Sequence, residues 1–173
     1  REEKTYEQLS FSHTDTKAYE DSYIPKGDDY FTEDSVLEDT DFFADVTVLS
    51  ARLDSDSAHY TLRINSLVSK TREESKTNIT IESSTPYIMQ ENREYFIPLR
   101  KENGTYSMAF ENAPQIEISL DGDIVFQNGW KSLDDNSGIL KDSQKSKNDY
   151  FYDRMRYSSK NDLQDLLAKW RTM

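Results

Sequence analysis

From residue 43 to residue 128 the chain is a succession of short runs in which apolar and polar residues alternate, broken by turn-forming residues every eight to twelve positions. A period of two is the period of a strand, because successive side chains leave opposite faces of the backbone. In residues 43–53, Ala44, Val46 and Val48 alternate with Asp45 and Thr47, and the apolar parity then shifts to Leu49, Ala51 and Leu53. That shift predicts a bulge or bend in a long first strand. After the turn cluster Asp54-Ser55-Asp56-Ser57, residues 59–68 place Tyr60, Leu62 and Ile64 on one face. Residues 71–77 read as a charged loop, and Ile79 and Ile81 mark a short strand.

The second half repeats the pattern. Residues 87–89 read as a short strand, and residues 93–101 turn Tyr95, Ile97 and Leu99 inward. Pro98 has no N–H to give a ladder, which predicts an edge strand or a bend. Glu102-Asn103-Gly104 is a tight turn, and Tyr106, Met108 and Phe110 alternate in the next strand. Ile116, Ile118 and Leu120 lead into Asp121-Gly122, a hairpin signal for a mirror-type turn with positive φ at both central residues, and residues 124–128 return. Residues 132–149 are polar and read as a long surface loop. Leu163, Leu166, Leu167 and Trp170 then fall on one face of a helix over about 160–171, with Ser159 and Asp162 spaced as a capping box. The expected fold is mainly β, a small antiparallel barrel or sandwich closed by one amphipathic C-terminal helix.

Charge divides the chain. Residues 1–42 hold 13 Asp and Glu against 4 Lys and Arg, while the other 131 residues hold 20 against 17. The first stretch also carries Tyr6, Phe11, Tyr19, Tyr23, Tyr30 and Phe31 without a regular period. Low hydropathy with high net charge predicts disorder, whereas scattered aromatics predict anchoring. We therefore expect an acidic arm over 1–41, partly disordered, and a β domain over 42–173.

The quoted strands resemble a layout found in small extracytoplasmic proteins of Gram-positive bacteria, domains of the OB-fold or netrin-like barrel type. The resemblance rests on Tyr60-Thr61-Leu62-Arg63-Ile64, on Glu94-Tyr95-Phe96-Ile97-Pro98-Leu99, on Gly104-Thr105-Tyr106 and on a closing hairpin with Asp121-Gly122. It spans about half of the chain, from Asp45 to Asn128, with the layout's last helix at 162–171. The glycine that usually precedes the Glu-Tyr strand is absent, and Glu91-Asn92-Arg93 stands there. The resemblance implies a non-enzymatic cell-envelope protein and supplies no functional residues.

Composition narrows the chemistry. There is no cysteine, which removes disulfides, thiolate catalysis and thiolate zinc sites and suits export. The net charge of −12 makes nucleic acid an improbable partner and disfavours anionic membranes. No run approaches the roughly 20 apolar residues of a membrane span. The chain opens on Arg1, for which a removed signal peptide or lipoprotein leader is the expectation and an expression tag the alternative.

Sites are harder to find. His13 and His59 sit in different contexts and read as solvated or turn residues, so no metal ligand is expected. The acidic turns at 54–57 and 134–138 fail the calcium-loop pattern. No nucleophile elbow, phosphate loop or His-Glu-x-x-His helix occurs, and with 33 acids a pair of carboxylates signals nothing. No enzyme activity and no cofactor are expected. Asn78-Ile79-Thr80 and Asn103-Gly104-Thr105 match the glycosylation sequon, at a frequency that chance supplies. Tyr60, Tyr95, Tyr106 and Phe110 read as core. Phe96, facing away from Tyr95 and Ile97, and Trp130, after Gly129, are the candidates for a partner or ligand surface, with Trp130 also suited to covering the barrel mouth. The functional expectation is an extracytoplasmic interaction or adaptor module for a protein partner. The alternatives are a barrel binding carbohydrate or cell-wall fragments and, last, a hydrolase.

Overall fold

The structure is a computed structural model and describes residues 33–53, 57–83, 89–109, 116–126 and 159–173. A short helix α1 (Glu33–Asp39) is followed by strands β1 (Phe42–Leu53), β2 (Ala58–Val68), β3 (Glu73–Glu74) and β4 (Asn78–Ser83). Strands β5 (Glu94–Glu102), β6 (Thr105–Met108), β7 (Ile116–Ile118) and β8 (Ile124–Phe126) come next, then a 3-10 turn (Lys160–Asp162) that runs into helix α2 (Leu163–Arg171). The protein is mainly β. All eight strands belong to one antiparallel sheet.

β1 lies between β2 and β5. On the far edge of β2, β4 pairs with residues 58–63 and β3 with Leu67 and Val68. On the far edge of β5, β7 pairs with residues 94–96 and β6 with residues 99–102. The sheet curls until β4 packs against β6, but no ladder joins them among the described residues, so it is not closed. Because each pairing is antiparallel, β4 and β6 run in the same direction across this seam.

The predicted break in β1 is present. Val48 faces Leu62 and Ser50 faces Thr61, which leaves Leu49 as the extra residue of a bulge. A second shift leaves Asn65 of β2 unpaired between Ser66 and Ile64. The tight turn expected between β5 and β6 is present, with Asn103 and Gly104 at φ 50 and 80, the signs of a mirror-type hairpin. The β7–β8 turn differs from expectation. Only Gly122 has positive φ, at 82, and its N–H donates to Ser119 O at 2.9 Å. This is a three-residue connection ending in a left-handed glycine, with Leu120 fully exposed at its tip. Asn92, in the stretch where the resembling layout has glycine, takes φ 65, a conformation that asparagine tolerates better than most side chains.

Pro98 does not mark an edge. β5 is central, with residues 95–99 buried. The Pro98 carbonyl accepts from Ala109 N–H at 3.0 Å, so the missing donor points to the same side, where β6 gives way to β7. The chain places its non-donor where no ladder partner stands.

Two apolar clusters lie on opposite faces of β1 and β5. Inside the curl are Val46, Val48, Tyr60, Leu62, Ile81, Tyr95, Ile97, Leu99 and their neighbours. Outside it are Phe43, Phe96, Ile116, Ile118 and Ile124, covered by Val36 and Leu37 of α1 and by Leu163, Leu166, Leu167 and Trp170 of α2. Trp170 meets Phe43 edge-on at 4.9 Å, and its indole N–H donates to Thr40 O at 3.3 Å. The helix receptor is thus the outer face of the first strand and its neighbours. The body also starts before residue 42, since Val36 and Leu37 are fully buried.

A polar clasp holds the entry to α2. Lys160 Nζ donates to Asp45 Oδ2 at 2.9 Å and to Glu94 Oε2 at 2.8 Å. The bulged Asn65 amide donates to Asp45 Oδ1 at 3.1 Å and to Thr47 at 3.0 Å. Ser159 N–H donates to Asp162 Oδ2 at 2.9 Å, the backbone arm of the expected capping box. Burial, and then the neighbouring Asp45, push the Glu94 carboxyl above its ordinary range despite Lys160, while the bond to Glu94 raises Lys160. Among the described residues no helix is long and apolar enough to cross a membrane.

Trp170→Ala lowers unfolding free energy by roughly 3–5 kcal/mol in urea titration. At pH 7, Lys160→Met costs about 1–3 kcal/mol because it leaves the buried Asp45 without its cation, a figure reduced for the half-exposed lysine. Glu94→Gln changes stability by less than about 1 kcal/mol or raises it. The sign follows from the raised acid: ionised Glu94 opposes folding above its folded pKa, and that opposition fades as pH falls toward the unfolded value. The Glu94→Gln difference therefore shrinks at acid pH.

Candidate functional site

The inward residues of β2 and β4, Ala58, Tyr60, Leu62, Ile79 and Ile81, leave the alternate positions to the outer surface. Register then builds rows across three strands. Arg52 faces His59, and His59 faces Glu82. Ser50 faces Thr61, and Thr61 faces Thr80. These two rows, with Thr105, Tyr106 and Ser107 of β6 across the seam, line a cleft of about 620 Å³. The lining is mixed: Ser50, Thr61, Thr80, Thr105 and Ser107 bring hydroxyls, and about half of the surface is apolar, with Ile81 the one aliphatic residue among those described.

His59 of this lining has its Nε2 3.0 Å from Oγ of Ser57, which does not itself line the cleft, and its Nδ1 3.9 Å from Glu82 Oε2. Ser57 is buried, while Glu82 is largely exposed. Below the cleft, Tyr60 closes the inner core. Its hydroxyl accepts from Met89 N–H at 3.1 Å, and Tyr95 accepts from Gln90 N–H at 2.8 Å. Burial raises both phenols far above their ordinary range, so each stays a neutral hydrogen-bonding group. The two rings anchor residues 89 and 90 across the end of the curl.

The structure corrects one expected site residue. Phe96 does face away from Tyr95 and Ile97, but that side is covered: it is 7 % exposed and stacked on Phe43 at 5.0 Å and 9°. Its ring is a core element. Trp130 lies outside the described residues, as do Phe110, Tyr87 and the expected loop at 132–149. Tyr60, Tyr95 and Tyr106 are core, as the alternation indicates. Sequence reading missed the rows. Ser57 and His59 are two apart on an extended segment, a legible same-side pair, but Glu82 joins them only through the β2–β4 register.

No family model matches this sequence, and no curated protein aligns with it.

Tyr60→Phe leaves the buried Met89 N–H without its acceptor. The expected loss is about 1–3 kcal/mol in denaturant unfolding, with the cleft-lining side chains otherwise intact.

Proposed function

We propose that this chain is an extracytoplasmic, cell-envelope binding module that recognises a protein partner through the cleft over β1, β2, β4 and β6. The observation that carries this reading is the lining. Five hydroxyls flanked by Arg52, His59 and Glu82 offer both donors and acceptors, which suits the amides and charged side chains of a polypeptide. Neither described lining ring gives a sugar a stacking platform, since Tyr60 and Tyr106 are 2 % and 6 % exposed. The strand order supports an OB-type reading, with β1 between β2 and β5 and β4 beside β6. Domains of that type bind oligonucleotides and oligosaccharides on the face of their second and third strands, which marks that face as a binding surface without selecting a protein. Absence of cysteine and the charge of −12 support export and a partner other than nucleic acid. The hydroxyl-rich lining also favours carbohydrate as the second reading.

The test pairs wild type with Thr61→Arg/Thr80→Arg. Both positions are outside the core, and surface changes of this kind move stability by about 0.5 kcal/mol or less. Immobilised wild type is expected to retain a specific protein from envelope extract, and the double variant to lose at least about tenfold in affinity. Equal capture by both proteins overturns the cleft. Glycan-array binding that the double variant abolishes selects the carbohydrate reading.

A further inference from the structure

The two strands that meet at the seam keep part of their backbone unpaired. Ile64 N–H donates to Thr77 O at 2.8 Å, one step beyond the Arg63–Asn78 pair, so residues 64 and 77 face each other as a hydrogen-bonded pair. Such pairs recur at every second position of an antiparallel ladder, and Ile79, Ile81 and Ser83 therefore bond to β2. Asn78, Thr80 and Glu82 turn their N–H and C=O groups to the seam. Ala109 N–H donates to Pro98 O at 3.0 Å, which by the same alternation bonds Thr105 and Ser107 to β5 and turns Tyr106 and Met108 to the seam. No backbone bond crosses between β4 and β6 among the described residues. A folded chain ordinarily pairs such groups. β3 ends its side of the sheet with two glutamates, a charge that discourages further pairing, whereas β4 and β6 have no proline and, between them, one charge, Glu82. The cleft opens over this line, with residues 80–82 on one bank and 105–107 on the other.

We propose that the seam takes up an extended segment of the partner protein as an added strand, antiparallel to both β4 and β6. This rests on the reading of the cleft as a site for a polypeptide, and names how that polypeptide is held. Because β4 and β6 run in the same direction, one strand of opposite direction matches the free groups on both banks. Main-chain bonds supply the attachment, and alternate side chains supply the selectivity. Inward side chains of the added strand lie beside Ile79, Ile81, Tyr106 and Met108, all buried, where small aliphatic residues fit. Outward ones lie beside Asn78, Thr80, Glu82, Thr105 and Ser107, where Glu82 is the one charge. With the chain at −12, lysine and arginine suit those positions and are steered in from a distance. Admitting the strand widens the seam to about 10 Å, twice the spacing of a ladder, and breaks no backbone bond among the described residues. The surface of Ile81 and Tyr106 uncovered by the widening is covered again by the inward aliphatic side chains.

The test uses the full chain and a capped peptide of alternating lysine and valine, with two further peptides N-methylated at one or the other set of alternate residues. The methyl groups keep charge and side chains and remove the donors on one side of the strand. Calorimetric titration is expected to show the parent peptide binding and each methylated peptide binding at least about tenfold more weakly, the scale of a few lost hydrogen bonds. Amide hydrogen exchange, read residue by residue by NMR, is expected to slow at Asn78, Thr80, Glu82, Tyr106 and Met108 with the parent peptide, and to change less at Ile79, Ile81, Thr105 and Ser107, whose amides are already in ladders. Equal binding of parent and methylated peptides marks attraction of charge alone and overturns the proposal. Absence of binding, or protection confined to one strand, overturns it too. No variant has to fold for this test. Capture that Thr61→Arg/Thr80→Arg abolishes, together with peptides indifferent to methylation, keeps the cleft and removes the added strand. Equal capture by both proteins, with methylation-sensitive peptides and protection on both banks, removes the cleft side chains and keeps the added strand.

Discussion

The structure depends on a central pair of strands that is apolar on both sides. β1 and β5 face each other with Phe43 beside Pro98, Ala44 beside Ile97, Asp45 beside Phe96 and Val46 beside Tyr95. Ala44, Val46 and Val48 of β1 and Tyr95, Ile97 and Leu99 of β5 line the interior of the curl. Phe43 and Phe96 stack on the reverse side. A strand buried on both faces needs two covers. One is the sheet itself, which rolls β2, β4 and β6 over the inner side. The other is helical, since the outer face is too broad for one short helix. α1 and α2 therefore share it, and Trp170 fills the space against Phe43. Neither helix is long enough to hold its shape alone in water, so their order comes from this contact.

Bulges decide what the surface carries. Without the extra residue at Leu49, the alternation of β1 would continue, and Ser50 and Arg52 would point into the core while Ala51 pointed out. The bulge reverses that parity and puts Arg52 beside His59 on the outer face. The second bulge acts in the same way on the helix side. It frees Asn65 from the ladder, and its amide can then donate to the buried Asp45. Asp45 is tolerable at 6 % exposure because Asn65 and Lys160 answer its two oxygens.

Much of this was legible in the sequence where the signal is local. Alternation located most of β1, β2, β4, β5 and β6, and the parity change in residues 48–53 located the bulge. The spacing of Leu163, Leu166, Leu167 and Trp170 located α2 and its buried face. What failed was information held by other parts of the chain. Pro98 signals an edge only if the ladder partner is continuous, and here the partner changes from β7 to β6 at that position. Phe96 looks like a surface ring when its strand is viewed alone, because nothing in its neighbours announces the helices that cover it. Val36 and Leu37 were read as the end of an acidic arm because two aliphatic residues among carboxylates set no visible period.

The cleft illustrates the same limit at the level of chemistry. Each of its polar residues sits on an ordinary half-exposed strand position, and no two from different strands are neighbours in sequence. Their convergence comes from register, and register is fixed by the packing of the inner residues between them: Tyr60 against Ile81, Leu62 against Ile79. A shift of one residue on β4 would turn Thr80 and Glu82 inward and bring Ile79 and Ile81 to the surface, at the cost of two buried isoleucines. The apolar side of the sheet thus holds His59 opposite Glu82 more firmly than their own contact at 3.9 Å does. Any chemistry at this face is therefore enforced from the core beneath it.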